Sequence, residues 1–589
     1  MQKKSSAGKW ASVVRWSILC GLVCGLSCFS LSIVMGQETG VAASEPAGTT
    51  AAAATEGGSS TEANPSPATS SSASQADQSE KSGEAAPKKT LTPEEKRAEK
   101  EKTWIGRIDN RAGDYVVDPM GAVLFFDFGT EALVGVKIPF VVVWLLCGGV
   151  FLTIKMGFIN FRGFKHGLDL VMGKYDDPKN AGEVSHFQAL SSALSGTVGL
   201  GNIAGVAAAI GLGGPGATFW MILCGLLGMT SKFAECSLAV MYRRVGTDGT
   251  VLGGPMVYLK DGLAKLGLGK LGGILAIVFA VLCVGGSFGG GNSYQIVQSL
   301  NTIKEDPNLK FLETYPWIYG LLMVVAVGIV ILGGIKSIGR TAEKIVPVMC
   351  LAYLLMAFVV IGLNFSRVPL AIQQIFEGAF TPGGMAGGFL GVMVIGIKRA
   401  VFSNEAGAGS AAIAHSAAKT DQPMSEGFVA LLEPFIDTVV VCTVTAVMIV
   451  VTGLHASPEV QALASDGNGA QITLKAVTQN EQLDWFRYVL YFAVILFAYS
   501  TCISWSYYGE RCFVFLFGPR SSTLYKILFL TFTFLGSIVS ADKIMEFSDM
   551  LILSMSVPNL IGVFLMSGVI KRALDAYLLD LKNGKIEKH

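Results

Sequence analysis

Two stretches of the chain combine groups able to bind ions with residues that hold a helix poorly. The first is Ser195-Gly-Thr-Val-Gly-Leu-Gly-Asn202, followed by Gly205. The second contains Gly383, Gly384, Gly387, Gly388, Gly391 and Gly396, then Lys398 and Arg399, then Phe402-Ser-Asn-Glu-Ala-Gly-Ala-Gly409. Both lie in long apolar runs. Each glycine costs a helix about 1 kcal/mol relative to alanine, so neither stretch suits a continuous lipid-facing helix. Irregular backbone at membrane depth is tolerated only where it is buried in protein or lines a cavity. In such a place a broken helix can bind ions. Its N–H groups and positive dipole end favour a carboxylate, and its freed carbonyls can ligate a cation. Close packing of small residues also explains Gly201 and Gly205. It does not explain Asn202, Asn404, Glu405 and Arg399 at depth.

Other polar groups in the apolar runs offer less. Glu405 is the acid near these stretches that could carry a proton; alternatively it closes a salt bridge or helix cap with Arg399 or Lys398. Lys232 and Glu235 stand three apart on one helical face and are expected to pair. Glu433 and Asp437, four apart around Pro434, have structural or gating roles. Most of the eleven cysteines sit in apolar runs, among them Cys147, Cys224, Cys236, Cys283, Cys350, Cys442 and Cys502, and none forms a CxxC pair. His166, His186, His415, His455 and His589 are scattered without metal-ligand spacing. The sequence contains no nucleophile–base pair, phosphate loop or metal cluster, which argues against an enzyme. A net charge of +1 leaves no footprint for a nucleic-acid partner.

The elements that position these groups follow from hydropathy. Hydrophobic residues make up 51% of the chain and charged ones 15%, against roughly 25% charged in soluble domains. A span needs about 20 apolar residues. Eleven stretches qualify: 132–154, 187–212, 218–242, 271–300, 317–335, 345–363, 389–415, 428–454, 486–508, 525–540 and 551–570. With an outer N-terminus, the inner loops carry 22 Lys and Arg and the outer loops 5, as the positive-inside rule requires. If the first span is set aside, the two broken ones are the first element of each five-span half. Paired interruptions of that kind mark inverted-repeat transporters with a midplane site. The expected class is therefore all-α and multi-spanning: a five-plus-five inverted repeat with one extra N-terminal span, in residues 131–572, with a cytoplasmic tail at 573–589.

Ahead of this region, residues 1–36 read as a signal peptide or uncleaved signal anchor. Lys3, Lys4, Lys9 and Arg15 precede the apolar Ile18–Met35, and cleavage could follow Gly36 or Ala43. Residues 37–130 form an extracytoplasmic segment, low in complexity from Gln37 to about Lys102, that cannot bury enough apolar surface to fold.

The motifs SGTVGLGNIAGVA (195–207), SKFAECSLAVMYR (231–243), GGPMVYL (253–259), FGGGNSYQ (288–295), GIKRAVFSNEAGAGSA (396–411) and WSYYGE (505–510) resemble the alanine or glycine:cation symporters, also called sodium:alanine symporters. The likeness runs from about Trp144 to Arg572. Thr218 stands where an aliphatic residue is usual and Ile222 where a tryptophan is usual, which marks a divergent subfamily. The resemblance implies an inner-membrane symporter that takes up a small neutral amino acid, alanine or glycine, with sodium as the co-transported ion. It needs no obligate protein partner beyond the lipid bilayer. VGLGN is also similar to the unwound first-helix motif of the neurotransmitter:sodium symporters.

By that likeness the backbone of Gly199, Leu200 and Gly201 holds the substrate carboxylate. Gln295, Trp505, Gly396 and Ile397 complete the substrate pocket. Sodium sits between the carbonyls of Ser195 and Val198 and the hydroxyls of Ser500 and Thr501. Asn202 belongs to a second ion site or is a local brace. Read from the residues alone, Ser500, Thr501 and Gln295 could equally be bonded to neighbouring helices, and Trp505 and Phe402 could be packing. Glutamine or serine as substrate, proton coupling, or a receptor or channel on the same fold are the alternatives.

Overall fold

The computed structural model describes residues 126–586, apart from 128, 136, 178–179, 248, 382–387 and 540. The signal segment and the whole low-complexity stretch 37–102 lie outside the described residues, as do Gly383, Gly384 and Gly387.

The chain folds as a stack of helices. They are α1 (Phe140–Lys155), α2 (His186–Thr197), α3 (Gly201–Gly213), α4 (Ala217–Met241), α5 (Gly269–Ile303), α6 (Pro316–Ile331), α7 (Gly334–Leu363), α8 (Phe389–Asn404), α9 (Ala411–His415), α10 (Pro423–Thr452), α11 (Phe486–Phe517), α12 (Ser522–Gly536) and α13 (Ala541–Lys582). Between α4 and α5 a small antiparallel hairpin pairs Arg244 with Leu252 and Val245 with Val251. Shorter helices at Val368–Phe380, Pro458–Ser465 and Gly469–Thr478 fill loops that the hydropathy left blank.

The distribution of polarity is the reverse of a water-soluble core. Lys232, Glu235, Glu433, Asp437, Asn202 and Asn404 are all fully buried. Ile274, Ile277 and Val281 on α5, Leu322, Val325 and Ile329 on α6, and Leu351, Leu355 and Phe358 on α7 are exposed. Each trio is spaced three and four apart, so it forms one helical stripe. Apolar stripes outside and charges inside describe a protein solvated by lipid. Among the described residues six helices are long and apolar enough to cross a membrane, or up to eight if each of two bent pairs is one span.

Each of the eleven apolar runs contains a helix, but several boundaries move. The first helix begins at Phe140, not Ala132. A separate short helix, Thr130–Val134, ends on Gly135 at φ 72°, and Pro139 holds extended backbone before α1. The seventh run is two helices. Asn404 ends α8 because Glu405 adopts φ 55°, and Gly407 and Gly409 follow at φ 90° and 86°. Such values strain a residue with a Cβ. The interruption therefore lies at Glu405–Ser410, while Gly391 and Gly396 are ordinary helical residues inside α8. Other helices, not expected to be irregular, carry wide π-helical turns, among them Gly289–Ser293 in α5 and Phe435–Cys442 in α10. Turns of this kind are often found at functional sites.

Candidate functional site

The first break is built by its own side chains. A capping box starts α2: Ser185 Oγ accepts from the Gln188 amide, and Gln188 Oε1 accepts from the Ser185 amide, both at 3.2 Å. Helix α2 stops at Thr197, and Val198 turns the chain away with ψ 87°. In a continuous helix the Gly199 and Leu200 amides would bond to the carbonyls of Ser195 and Gly196. Here Gly199 N–H donates to Asn202 Oδ1 at 2.9 Å, and Leu200 N–H donates to Gln295 Oε1 at 3.1 Å. Those two carbonyls are thus released from the helix. The chain resumes as α3 at an angle of 49° to α2.

Helix α11 packs against α2, α5 and α7 and presents Ser500 and Thr501 to this break. Ser195 Oγ donates to the Ser500 carbonyl at 2.6 Å. Ser500 Oγ lies 3.1 Å from the Phe497 carbonyl and 3.4 Å from Met349 Sδ. Thr501 Oγ1 is fully buried and has no hydrogen-bond partner. A Cβ added to Gly199 would fall on that oxygen and stand 3.2 Å from Gln295 Oε1. An orphaned buried hydroxyl costs about 1–3 kcal/mol. This one stands against Gly199 at the break, so a cation bound there would satisfy it.

Gln295 is oriented by its own helix, since Nε2 donates to the Gly290 carbonyl in the π-helical turn at 2.9 Å. Its Oε1 is therefore the end aimed at Leu200 N–H. An amide oxygen on that N–H occupies the place a carboxylate oxygen would take. Trp505 closes against the same turn. A Cβ on Gly291 would clash with Trp505 Cγ and Cβ, and the Trp505 Nε1 donates to Glu405 Oε1 at 2.9 Å.

The structure gathers Ser195, Val198, Gly199, Leu200, Gly201, Gln295, Ser500, Thr501 and Trp505 around the two breaks. Gly396 lies elsewhere on α8: a Cβ there would meet the Ala217 carbonyl at 2.6 Å and Trp220 Cβ at 2.8 Å. That is a close helix–helix contact with α4. Its neighbour Ile397 is buried. Phe402 packs edge-on to Tyr294 at 5.1 Å and stands 3.5 Å from where a Gly201 Cβ would be.

Asn202 takes the bracing geometry. Its Oδ1 holds Gly199 N–H, and its Nδ2 donates to Asp437 Oδ1 at 2.7 Å and to the Asp437 carbonyl at 3.1 Å. Ser403 and Thr438 also donate to the Asp437 carboxylate, at 2.9 and 2.7 Å. Asp437 thus ties the first break to the end of α8. Asp437→Asn would turn an amide NH2 toward donors that need an acceptor. We expect it to cost about 1–3 kcal/mol, read as a lower thermal midpoint of the purified protein together with weaker substrate binding.

Three pairings differ from expectation. Lys232 bonds Glu433 at 3.0 Å rather than Glu235. Glu235 instead accepts from Asn559 Nδ2 at 2.8 Å. Glu405 is bonded by Ser410 and Trp505, while Arg399 pairs with Asp549. In each case the partner comes from a different helix or from the chain past the break, where spacing along one helix carries no signal.

Comparison with known proteins agrees with this architecture. The family model described as the sodium:alanine symporter family matches residues 126–589. The chain is 40% identical over 446 residues to the sodium/alanine symporter AgcS of Methanococcus maripaludis, covering 76% of this chain and 95% of that one. It is 37% identical to an uncharacterized transporter of Haemophilus influenzae, covering 74% of this chain and 93% of the relative. It is 33% identical to the probable sodium/glutamine symporter GlnT of Bacillus subtilis, covering 75% and 89%. With broken helices around an orphaned hydroxyl, apolar stripes facing outward and this match over the whole described region, the chain belongs to the sodium:alanine symporter family of multi-pass membrane transporters.

Proposed function

We propose that the protein carries alanine or glycine into the cell together with sodium, across the inner membrane, by alternating access on a five-plus-five inverted repeat of eleven spans. The observation that carries this reading is the buried, partnerless Thr501 Oγ1 against Gly199, at the break that releases the Ser195 and Gly196 carbonyls. Sodium accepts neutral oxygens, and the Ser195 and Val198 carbonyls with the Ser500 and Thr501 hydroxyls supply four. The substrate carboxylate displaces Gln295 Oε1 from Leu200 N–H and shares the backbone of Gly199 and Gly201. Trp505 borders the pocket. The 22-to-5 division of loop cations supports an outer N-terminus and an inner C-terminus.

In this cycle sodium orders the break in α2 and α3 and completes the amino-acid site. The bundle rocks, and both ligands leave on the inner side. No covalent step is required. Glutamine is the second substrate reading, favoured by the likeness to GlnT.

Calorimetry on the purified protein tests the ion site. Alanine binding should tighten as sodium replaces potassium, and Thr501→Ala should shift the sodium dependence roughly tenfold or more, the loss of about one polar ligand. Thr501→Ser, which keeps the hydroxyl, should restore it. An unchanged sodium dependence in Thr501→Ala would remove this oxygen from the site.

A further inference from the structure

A second buried cluster stands away from the substrate site, at the opposite end of α2 from its break and at the end of α9. His186 is the first residue of α2 and His415 the last of α9. Both turn Nδ1 toward one carboxylate, Glu426 on α10. His186 Nδ1 bonds Oε2, and His415 Nδ1 bonds Oε1 at 2.6 Å. The outer nitrogens face further carboxylates. His186 Nε2 is 3.9 Å from Asp176 Oδ1, whose side chain is 41% exposed. His415 Nε2 is 3.6 Å from Glu433 Oε2, and neither of those two atoms has a hydrogen-bond partner. Glu433 then reaches Lys232. Asp176, His186, Glu426, His415, Glu433 and Lys232 thus form a file from the surface to the protein centre, and its last five members are buried.

The arrangement specifies protons. His415 has a carboxylate at each ring nitrogen, Glu426 at Nδ1 and Glu433 at Nε2. In either neutral tautomer one ring lone pair meets a carboxylate, two acceptors face to face. The contact is favourable only with a second proton on the ring. The other charged and titratable groups around the file do not replace it. Arg243, near Glu426, is committed to the Ser416, Ala418, Ala181 and Thr420 carbonyls. Asp421 lies beside Arg243. Glu235, Glu405 and Cys236 surround Lys232, and Tyr508 donates to the Ser192 carbonyl.

The buried members come from four helices, His186 from α2, His415 from α9, Glu426 and Glu433 from α10 and Lys232 from α4, so the file ties these elements to one another. We propose that Glu426, gripped by His186 and His415, is a proton-binding latch open to the inner solution, whose closed form requires a proton on His415. It rests on the orientation proposed above, and it adds a ligand, the proton, that is taken from and returned to one side. The sign follows. Closure is complete at low inner pH, where His415 is doubly protonated, and is lost as pH rises and that proton leaves. Release to the inside should therefore speed up as the inner solution becomes alkaline.

Hydrogen–deuterium exchange of residues 411–430 in the purified full chain, without substrate, reads the latch directly. Corrected for intrinsic chemistry, exchange should rise about tenfold per pH unit through the titrating range, as one linked proton dictates. His415→Gln should make it independent of pH. His186→Gln, at the solvent end, is the second variant should the first not fold; it weakens one grip on Glu426, so exchange should rise at every pH while its slope remains. A flat profile in the native protein, an unaltered slope in His415→Gln, or unchanged exchange in His186→Gln would overturn the latch without touching the alanine reading, since no substrate is present. In vesicles, a response to outer pH at fixed inner pH would equally overturn it.

Discussion

Gly199→Ala is expected to abolish transport while leaving a folded protein. The added Cβ would fall on Thr501 Oγ1 and crowd Gln295 Oε1 at 3.2 Å, so the break must open by a large fraction of an ångström. Overpacking of this kind costs typically about 1–3 kcal/mol, which a well-packed bundle survives. The effect on function is larger. The Gly199 and Leu200 amides, held by Asn202 and Gln295, are the ones assigned to the substrate carboxylate. A displacement of about 1 Å in such a site can cost roughly a hundredfold. Uptake and thermal midpoint, measured side by side, separate the two effects. The double variant Gly199→Ala with Thr501→Ala removes the clash, so it should recover stability and still not transport, because the ion has lost its hydroxyl. Full transport by the double variant would show that Thr501 acts only as a packing residue.

Lys232→Met is expected to be the most damaging substitution outside the substrate site. Lys232 and Glu433 are both fully buried and bonded at 3.0 Å. Removing one partner of a buried pair costs about 3–5 kcal/mol, a large share of the stability of any domain, because Glu433 is left with only the His415 ring at 3.6 Å. The companion change Glu433→Gln removes the stranded charge. The double variant should therefore recover much of the thermal midpoint lost in the single one. Equal losses in single and double variants would mean that the lysine stem, not its charge, matters.

What the sequence made legible is what is local. The break at Ser195–Asn202 is visible because four glycines crowd a run otherwise fit to span. The fold supplies the detail that makes it a site, since Gln295 lies 95 residues from the amide it holds. In the seventh run the glycines divide. Gly396 is needed for contact with α4, whereas Gly407 and Gly409, together with Glu405, hold the left-handed backbone of the interruption. Ionic partners were least legible. Lys232 meets Glu433 across 201 residues and His186 meets Glu426 across 240. A pairing rule for neighbours on one helix points Lys232 to Glu235 instead. The histidines looked inert because their spacing suits no metal, and the carboxylate that joins them is named by no periodicity. Asp437 stood out only as an acid at depth; its bonds to Asn202 and Ser403 depend on how α3, α8 and α10 converge.

The central claim is that a small neutral amino acid moves with sodium. Purified protein in proteoliposomes, given labelled L-alanine outside and a sodium gradient directed inward, tests it most directly. The account predicts accumulation above equilibrium that vanishes when potassium replaces sodium and in Thr501→Ala. Uptake that persists without sodium and follows an imposed pH gradient would contradict it.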